Sequence, residues 1–408
     1  MQVIIVGAGP VGATLARLLA REQIAVTLIE QAHSLDRIFR GEGLMPAGMD
    51  ALHQMGLGSL LKTIPYRRLE SWNIFLEGKE IFTVPEPLDR LGDRALSIIP
   101  QTAFLEGVIE QAQAYTHFRF LPGTSVQEVI RDAQQRIVGV AVTPTGHSSP
   151  VSHLEADLVI GCDGRGSTLR RKVGLPLDLL PDQYDVLWFK LPAPQRLQNR
   201  CQFYLMARAK THPAACYTSW DGRLQYGLIM PKGGLGQLGE DWLTAATASA
   251  PEWLAEHMQQ HRQDMSEPIR LNVMVGRCAQ WTVPGLLLLG DAAHPMSPVR
   301  AQGVNLALRD AIVATNHLVP ALRTGETARV DAALQTIQTE RMPEVVRSQT
   351  LQLRESESLN DIRNATWKLA LAQRLAPIVG KLPLAQWAWL FRQRDLRFGT
   401  VPVQLETL

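Results

Sequence analysis

Three carboxylates in this 408-residue chain end apolar runs, where an isolated charge is unfavourable unless it holds something. Glu30 closes AVTLIE, Asp163 follows DLVIGC, and Asp291 follows GLLLLG. Unbroken Val, Ile and Leu runs suit parallel strands buried on both faces. Open α/β sheets bind ligands beyond the carboxyl ends of such strands, so these acids are placed to grip a ligand's hydroxyl groups. Blander readings exist. Asp163-Gly164 also reads as a plain turn, and Asp291 as a cap on the turn that follows. His294 fits an acid–base role or a local turn hydrogen bond equally. With no G-x-S-x-G, no H-E-x-x-H and no cluster at metal spacing, no catalytic protein residue and no metal are assigned.

The elements that would position these acids are legible around them. MQVIIVGAGPVGATLARLLAREQIAVTLIE reads as strand, glycine-rich turn, helix and second strand. Gly7 permits the tight turn, Gly9 lets backbone approach a pyrophosphate, and Gly12 allows close helix–strand packing, with Pro10 and Val11 between them. Glu30 lies at the spacing of a ribose-gripping acid, which argues against a 2′-phosphate on the nucleotide. After Asp163, Ser167 begins a short capped helix, and a helix there disfavours a hairpin. The four cysteines are scattered, so no disulfide framework is expected and a reducing compartment fits. A formal charge of +2 implies no nucleic-acid partner. No apolar run reaches the roughly 18 residues of a membrane span, and no secretory signal opens the chain. The expectation is a cytoplasmic α/β protein.

Together these stretches resemble the class A FAD-dependent monooxygenases, the aromatic hydroxylases typified by para-hydroxybenzoate hydroxylase. The resemblance runs from residue 1 to roughly residue 345. It implies non-covalent FAD, with Gly7, Gly9, Pro10, Val11, Gly12 and Glu30 around the ADP half. It also implies that Arg40 and Gln101 touch the cofactor, and that Asp163 lies in the Asp-Gly motif near the pyrophosphate. Gly290 and Asp291 would meet ribitol or ribose hydroxyls, and Gly303, Val304 and Asn305 would offer backbone N–H groups to the isoalloxazine. The implied activity is hydroxylation of an aromatic, polyketide-like or quinone-type molecule by molecular oxygen through a flavin C4a-hydroperoxide. NAD(P)H would dock transiently, with Arg165, Arg170 and Arg171 as candidate helpers. Many members carry glycines where this chain has Arg300 and Ala301, so a bulkier loop is expected beside the ring. Two alternatives stay open: an isoprenoid double-bond reductase of the geranylgeranyl reductase kind, and a non-catalytic flavin-binding protein.

The expected fold is a Rossmann-like FAD-binding domain (1–66, 97–175 and 276–345), an antiparallel substrate sheet (67–96 and 176–275) and a C-terminal helical region (346–408). Runs such as RCQFYLMAR, AACYTSW and LQYGLIM read as that sheet. Tyr204, Met206, Tyr217, Tyr226 and Leu228 are the candidate pocket residues, with Pro295 from the flavin side. The last helices mix Trp387, Trp389, Leu390 and Phe391 with arginines, which fits packing on the body, a greasy-substrate entrance or a membrane-surface contact.

Overall fold

The structure is a computed structural model that describes residues 1–36, 41–146, 150–181, 184–239, 242–364, 374 and 380–406. Several short pieces aside, the chain runs β1 (Gln2–Val6), α1 (Pro10–Arg21), β2 (Ala25–Ile29) and α2 (Pro46–Gln54). It then contributes a hairpin, β3 (Ser71–Leu76) and β4 (Lys79–Pro85), to a second sheet. Next come α3 (Gln101–Gln113), β5 (Phe118–Leu121) and a small antiparallel sheet of β6 (Thr124–Arg131), β7 (Ile137–Pro144) and β8 (Ser152–Glu155). β9 (Leu158–Gly161) and α4 (Thr168–Lys172) precede the second excursion, which holds β10 (Tyr184–Leu191), β11 (Gln202–Ala207), β12 (Ala214–Thr218), β13 (Leu224–Pro231), α5 (Trp242–Thr247), α6 (Glu252–Gln260) and β14 (Ile269–Leu271). β15 (Thr282–Val283), β16 (Leu286–Leu288), α7 (Gln302–Arg323), α8 (Thr327–Asn364), α9 (Pro383–Arg392) and α10 (Arg394–Phe398) complete it.

The first sheet has the order β15-β16-β9-β1-β2-β5, parallel from β16 to β5, with β15 antiparallel at the edge. Its central strands are apolar beyond Gln2 because both faces are covered, one by helices including α1 and the other by the small β6–β8 sheet: Val3, Ile4, Ile5, Leu158, Val159, Leu286 and Leu287 are wholly buried. Glu30, Asp163 and Asp291 emerge at the carboxyl ends of β2, β9 and β16, on one edge of this sheet.

The second sheet has the order β14-β10-β13-β12-β11-β3-β4. The sequence suggests an antiparallel meander, and that holds from β14 to β11. β11 and β3 instead run parallel, Tyr204 opposite Asn73. The long connection between them imposes no hairpin geometry, so the β3–β4 hairpin docks on the meander edge in either sense.

α7 packs across α1, and α8 packs along α7. The sequence boundary at 345/346 falls inside α8, whose buried face continues through Arg341, Val345, Gln349 and Gln352.

Candidate functional site

A cavity of about 1100 Å³ lies between the two sheets. Drug-sized ligands occupy roughly 300–1000 Å³, so there is room for a dinucleotide with a small molecule beside it.

At one end the cavity is lined by Gly7, Gly9, Pro10, Val11 and Glu30. Gly7 has φ +104°, and a Cβ there would stand 2.3 Å from the Cys162 carbonyl oxygen. A Cβ on Gly12 would lie 1.9 Å from the Gly7 oxygen; Gly12 therefore sets the packing without lining the cavity. A Cβ on Gly9 would meet nothing within 4 Å. Gly9 also caps α1 with no side chain, and Pro10 has no N–H to lose, so the first turn presents bare donors and positive dipole. Glu30 accepts from Ala8 N (2.9 Å) and Ala32 N (3.0 Å), which fixes its carboxylate at the cavity wall.

Asp163, Asp291 and Gln101 also line the cavity. Ser167 does cap α4, accepting from Arg170 N at 2.9 Å, so Asp163-Gly164 is a strand-to-helix turn and no hairpin. Asp163 Oδ2 accepts from Leu169 N (3.0 Å), while its Oδ1 is buried without a partner among the described residues. Gln101 opens α3 and donates to the Gly41 carbonyl (3.2 Å). Arg40 lies outside the described residues. Arg170 is buried and committed to the carbonyls of Ala292 and Arg165, which leaves it no freedom to dock a second nucleotide.

Behind Asp291 sits a residue that sequence reasoning missed. Asp310, wholly buried on α7, accepts from Gly290 N (3.3 Å) and His294 Nε2 (2.8 Å), and its other oxygen from Arg341 Nε (2.7 Å). Burial alone would raise the Asp310 pKa, but His294 and Arg341 outweigh it and hold the carboxyl below its ordinary value. His294 thus belongs to a buried brace and does not line the cavity. Gly290 is likewise a turn residue of that brace, buried at φ +58°.

Gly303 and Val304, in the first turn of α7, face the cavity, and α7 has no side-chain cap. Asn305 does not face it. Its side chain instead clamps the loop opposite, accepting from Met45 N (2.8 Å) and donating to Ala301 O (2.6 Å). The bulkier Arg300-Ala301 loop has a definite geometry: both residues are left-handed, φ 57° and 50°, without being glycine. Arg300 reaches across the cavity, its guanidinium 4.4 Å from the Trp72 ring and 5.0 Å from Trp389 of α9, with Nε donating to Glu355 (3.1 Å).

The opposite wall is the second sheet, and here four candidates need correction. Tyr204, Met206, Tyr226 and Leu228 point away from the cavity into a separate core completed by α5 and α6. Tyr226 Oη donates to the Ala246 carbonyl in that core (2.6 Å). Successive strand residues alternate faces, so the cavity receives their neighbours: Phe203, Leu205, Tyr217, Ile229, Val186 and Trp188. Tyr217 and Pro295 are on the expected side.

A polar cluster interrupts this apolar wall. Glu42 lines the cavity, is 7 % exposed, and accepts from Ser219 Oγ (2.7 Å), Gln225 Nε2 (2.9 Å) and Lys190 Nζ (3.3 Å). Lys190 also reaches Asp221 (3.0 Å), at the protein surface. Burial pushes the Glu42 carboxyl above its usual range in spite of Lys190. Among the described residues no three His, Cys, Asp or Glu side chains form a metal site, and no helix is long and apolar enough to cross a membrane.

A family model described as an FAD binding domain matches residues 1–348. The 6-methylpretetramide 4-monooxygenase of Streptomyces rimosus is 31 % identical over 392 residues, covering 93 % of this chain and 89 % of that protein. The 3-demethoxyubiquinol 3-hydroxylase of Escherichia coli K12 is 25 % identical over 368 residues, covering 84 % and 85 %. The crystal structure of P. aeruginosa PqsL in complex with 2-aminobenzoylacetate superposes with a TM-score of 0.75 at 22 % identity, covering 93 % of this chain and 99 % of that one, a likeness of fold.

Proposed function

The chain belongs to the FAD binding domain family and is an FAD-dependent monooxygenase; from that premise we propose that it hydroxylates an electron-rich polyketide-like or quinone-type aromatic, with NAD(P)H as donor. The observation that carries this reading is the two-sided cavity. One side holds the nucleotide-binding loops and Asp291, and the other is an apolar and aromatic wall with one buried acid, Glu42.

The residues present fit FAD. Open space over Gly9, the bare first turn of α1 and the unpartnered Asp163 Oδ1 are the features a dinucleotide would occupy. Glu30 would take ribose hydroxyls, the α1 N-terminus the pyrophosphate, and Asp291 the remaining hydroxyls. When bound, FAD supplies the electron transfer and oxygen activation that no side chain here provides. The first turn of α7 directs positive dipole at the place Gly303 and Val304 line, favouring negative charge there. Phe203, Leu205, Tyr217, Ile229 and Trp188 exclude water and present a flat surface for an aromatic substrate. Glu42 stands where it would accept a proton from a substrate hydroxyl.

In this reading residues 1–66, 97–175 and 276–345 hold the cofactor, and 67–96 with 176–275 cover it. A cytoplasmic location is part of it, supported by four unbonded, buried cysteines. Oxygen uptake by the purified protein with NADH or NADPH should be stimulated by hydroxylated polycyclic aromatics and hydroquinones. Anaerobic alkene reduction in its place would favour a reductase, and a flavin that no nicotinamide reduces would favour a binding protein. Asp291→Ala should lower FAD affinity roughly ten- to a hundred-fold through lost charge-assisted hydrogen bonds. Full occupancy in dilute solution would remove Asp291 from this reading.

A further inference from the structure

α9 is apolar on both sides. Inward, Trp389 and Leu390 pack on the core around Trp72 and Tyr217, Trp389 lines the cavity, and Gln386 donates to the Thr83 carbonyl of β4 (3.2 Å). Outward, Leu384, Trp387, Ala388 and Phe391 recur at i, i+3, i+4 and i+7, making one stripe. Leu384 is 74 % exposed, Trp387 58 % and Phe391 56 %, with Leu382 exposed just before the helix. The Trp387 and Phe391 rings stack at 5.2 Å, so the stripe is an ordered ridge. Exposed apolar surface of this kind marks a contact site.

Charge identifies what it contacts. Lys381, Arg392 and Arg394 flank the ridge, all exposed, and residues 380–394 contain no Asp or Glu, although the whole chain balances 41 bases against 39 acids. A second copy docked about a two-fold axis would bring these bases together with no acid in the segment to answer them. Aromatic and leucine side chains rimmed by bases suit an interface of anionic headgroups over acyl chains. We propose that the outer face of α9 docks on an anionic lipid bilayer, with the ridge in the headgroup region and the three bases on lipid phosphates. The helix that closes one side of the cavity then lies at the bilayer surface, where apolar aromatic substrates concentrate.

The test uses the full-length, FAD-loaded protein and reads lipid binding without turnover, so its failure is separate from failure of the hydroxylase reading. In flotation assays it should bind vesicles of equal phosphatidylcholine and phosphatidylglycerol at least tenfold more tightly than pure phosphatidylcholine, and high salt should weaken this. The triple variant Leu384→Ser/Trp387→Ser/Phe391→Ser should keep its flavin content and melting temperature and lose binding at least tenfold. Lys381→Glu/Arg392→Glu/Arg394→Glu should lose the preference for anionic vesicles. No binding by the parent protein would overturn the proposal, as would unchanged binding by both variants. Concentration-dependent dimerisation abolished by the serine variant, without lipid binding, would assign the face to a second copy and also overturn it.

Discussion

Asp310 accepts hydrogen bonds from Gly290 N and from His294 Nε2, so one buried carboxylate on α7 holds both ends of the turn that carries Asp291. Arg341, paired with Asp310 and Glu344, completes the brace. Asp310→Asn should therefore cost about 3–5 kcal/mol, because it leaves the buried Arg309 and Arg341 sharing one carboxylate, Glu344, in place of two. The Asp310 pKa is depressed in the folded state, so its contribution is present above the unfolded value near 4 and is lost as pH falls through the folded value. Denaturation midpoints should converge for parent and variant as pH drops below about 4. A gap independent of pH would contradict the brace.

Two consecutive left-handed residues, Arg300 and Ala301, store backbone strain beside the flavin site. For a non-glycine residue that conformation costs about 1–2 kcal/mol, and glycine gives back about 0.5–1 kcal/mol in chain entropy. Ala301→Gly is expected to stabilise the protein by about 0.5–1 kcal/mol in denaturant titrations, leaving flavin content unchanged. Destabilisation would mean that the methyl group's contact with the Gly43 segment outweighs the strain.

The two faces of the second sheet should respond oppositely to mutation. Leu228 is wholly buried in the far core, and Leu228→Ala should cost about 2–5 kcal/mol with little effect on KM. Leu205 faces the cavity, and Leu205→Ala should raise KM roughly tenfold at a stability cost below about 1 kcal/mol. Paired kinetics and unfolding curves give both readouts; the reverse pattern would mean the register is wrong by one.

Glu42 is disfavoured as an anion, its carboxyl raised by burial. A raised folded pKa gives stability that is present below the unfolded value near 4.3 and lost as pH rises through the folded value. Glu42→Gln removes that loss, so its stability relative to the parent should climb as pH rises from about 4 to about 8. Its turnover with a hydroxylated substrate should lose the acid limb of the pH profile. A falling relative stability would show that the Lys190 pair governs the site.

The nucleotide half of the molecule was legible because its signals are local. Gly7, Gly9 and Gly12 sit in one turn, and β1 after Gln2 and all of β9 carry no polar residue that could confuse the reading. The substrate wall was not legible, because the second sheet is buried on both sides. Phe203, Tyr204, Leu205 and Met206 are apolar or aromatic in turn, and a period of two with no polar partner has no inside and outside. Asp310 and Glu42 were missed for a different reason. Each takes its meaning from distant partners, Arg341 on α8 and Lys190 on β10, which no spacing rule connects.

The alternation in β10–β13 separates two duties that a single strand would otherwise mix. Leu187, Phe189, Tyr226 and Leu228 answer to the core with α5 and α6, while Val186, Trp188, Gly227 and Ile229 line the cavity, the three side chains among them also packing in a smaller cluster around Val273 and Val275. Drift at the second set changes ligand shape preference while the core with α5 and α6 stays intact, so the scaffold can diverge toward new aromatic skeletons one alternate residue at a time.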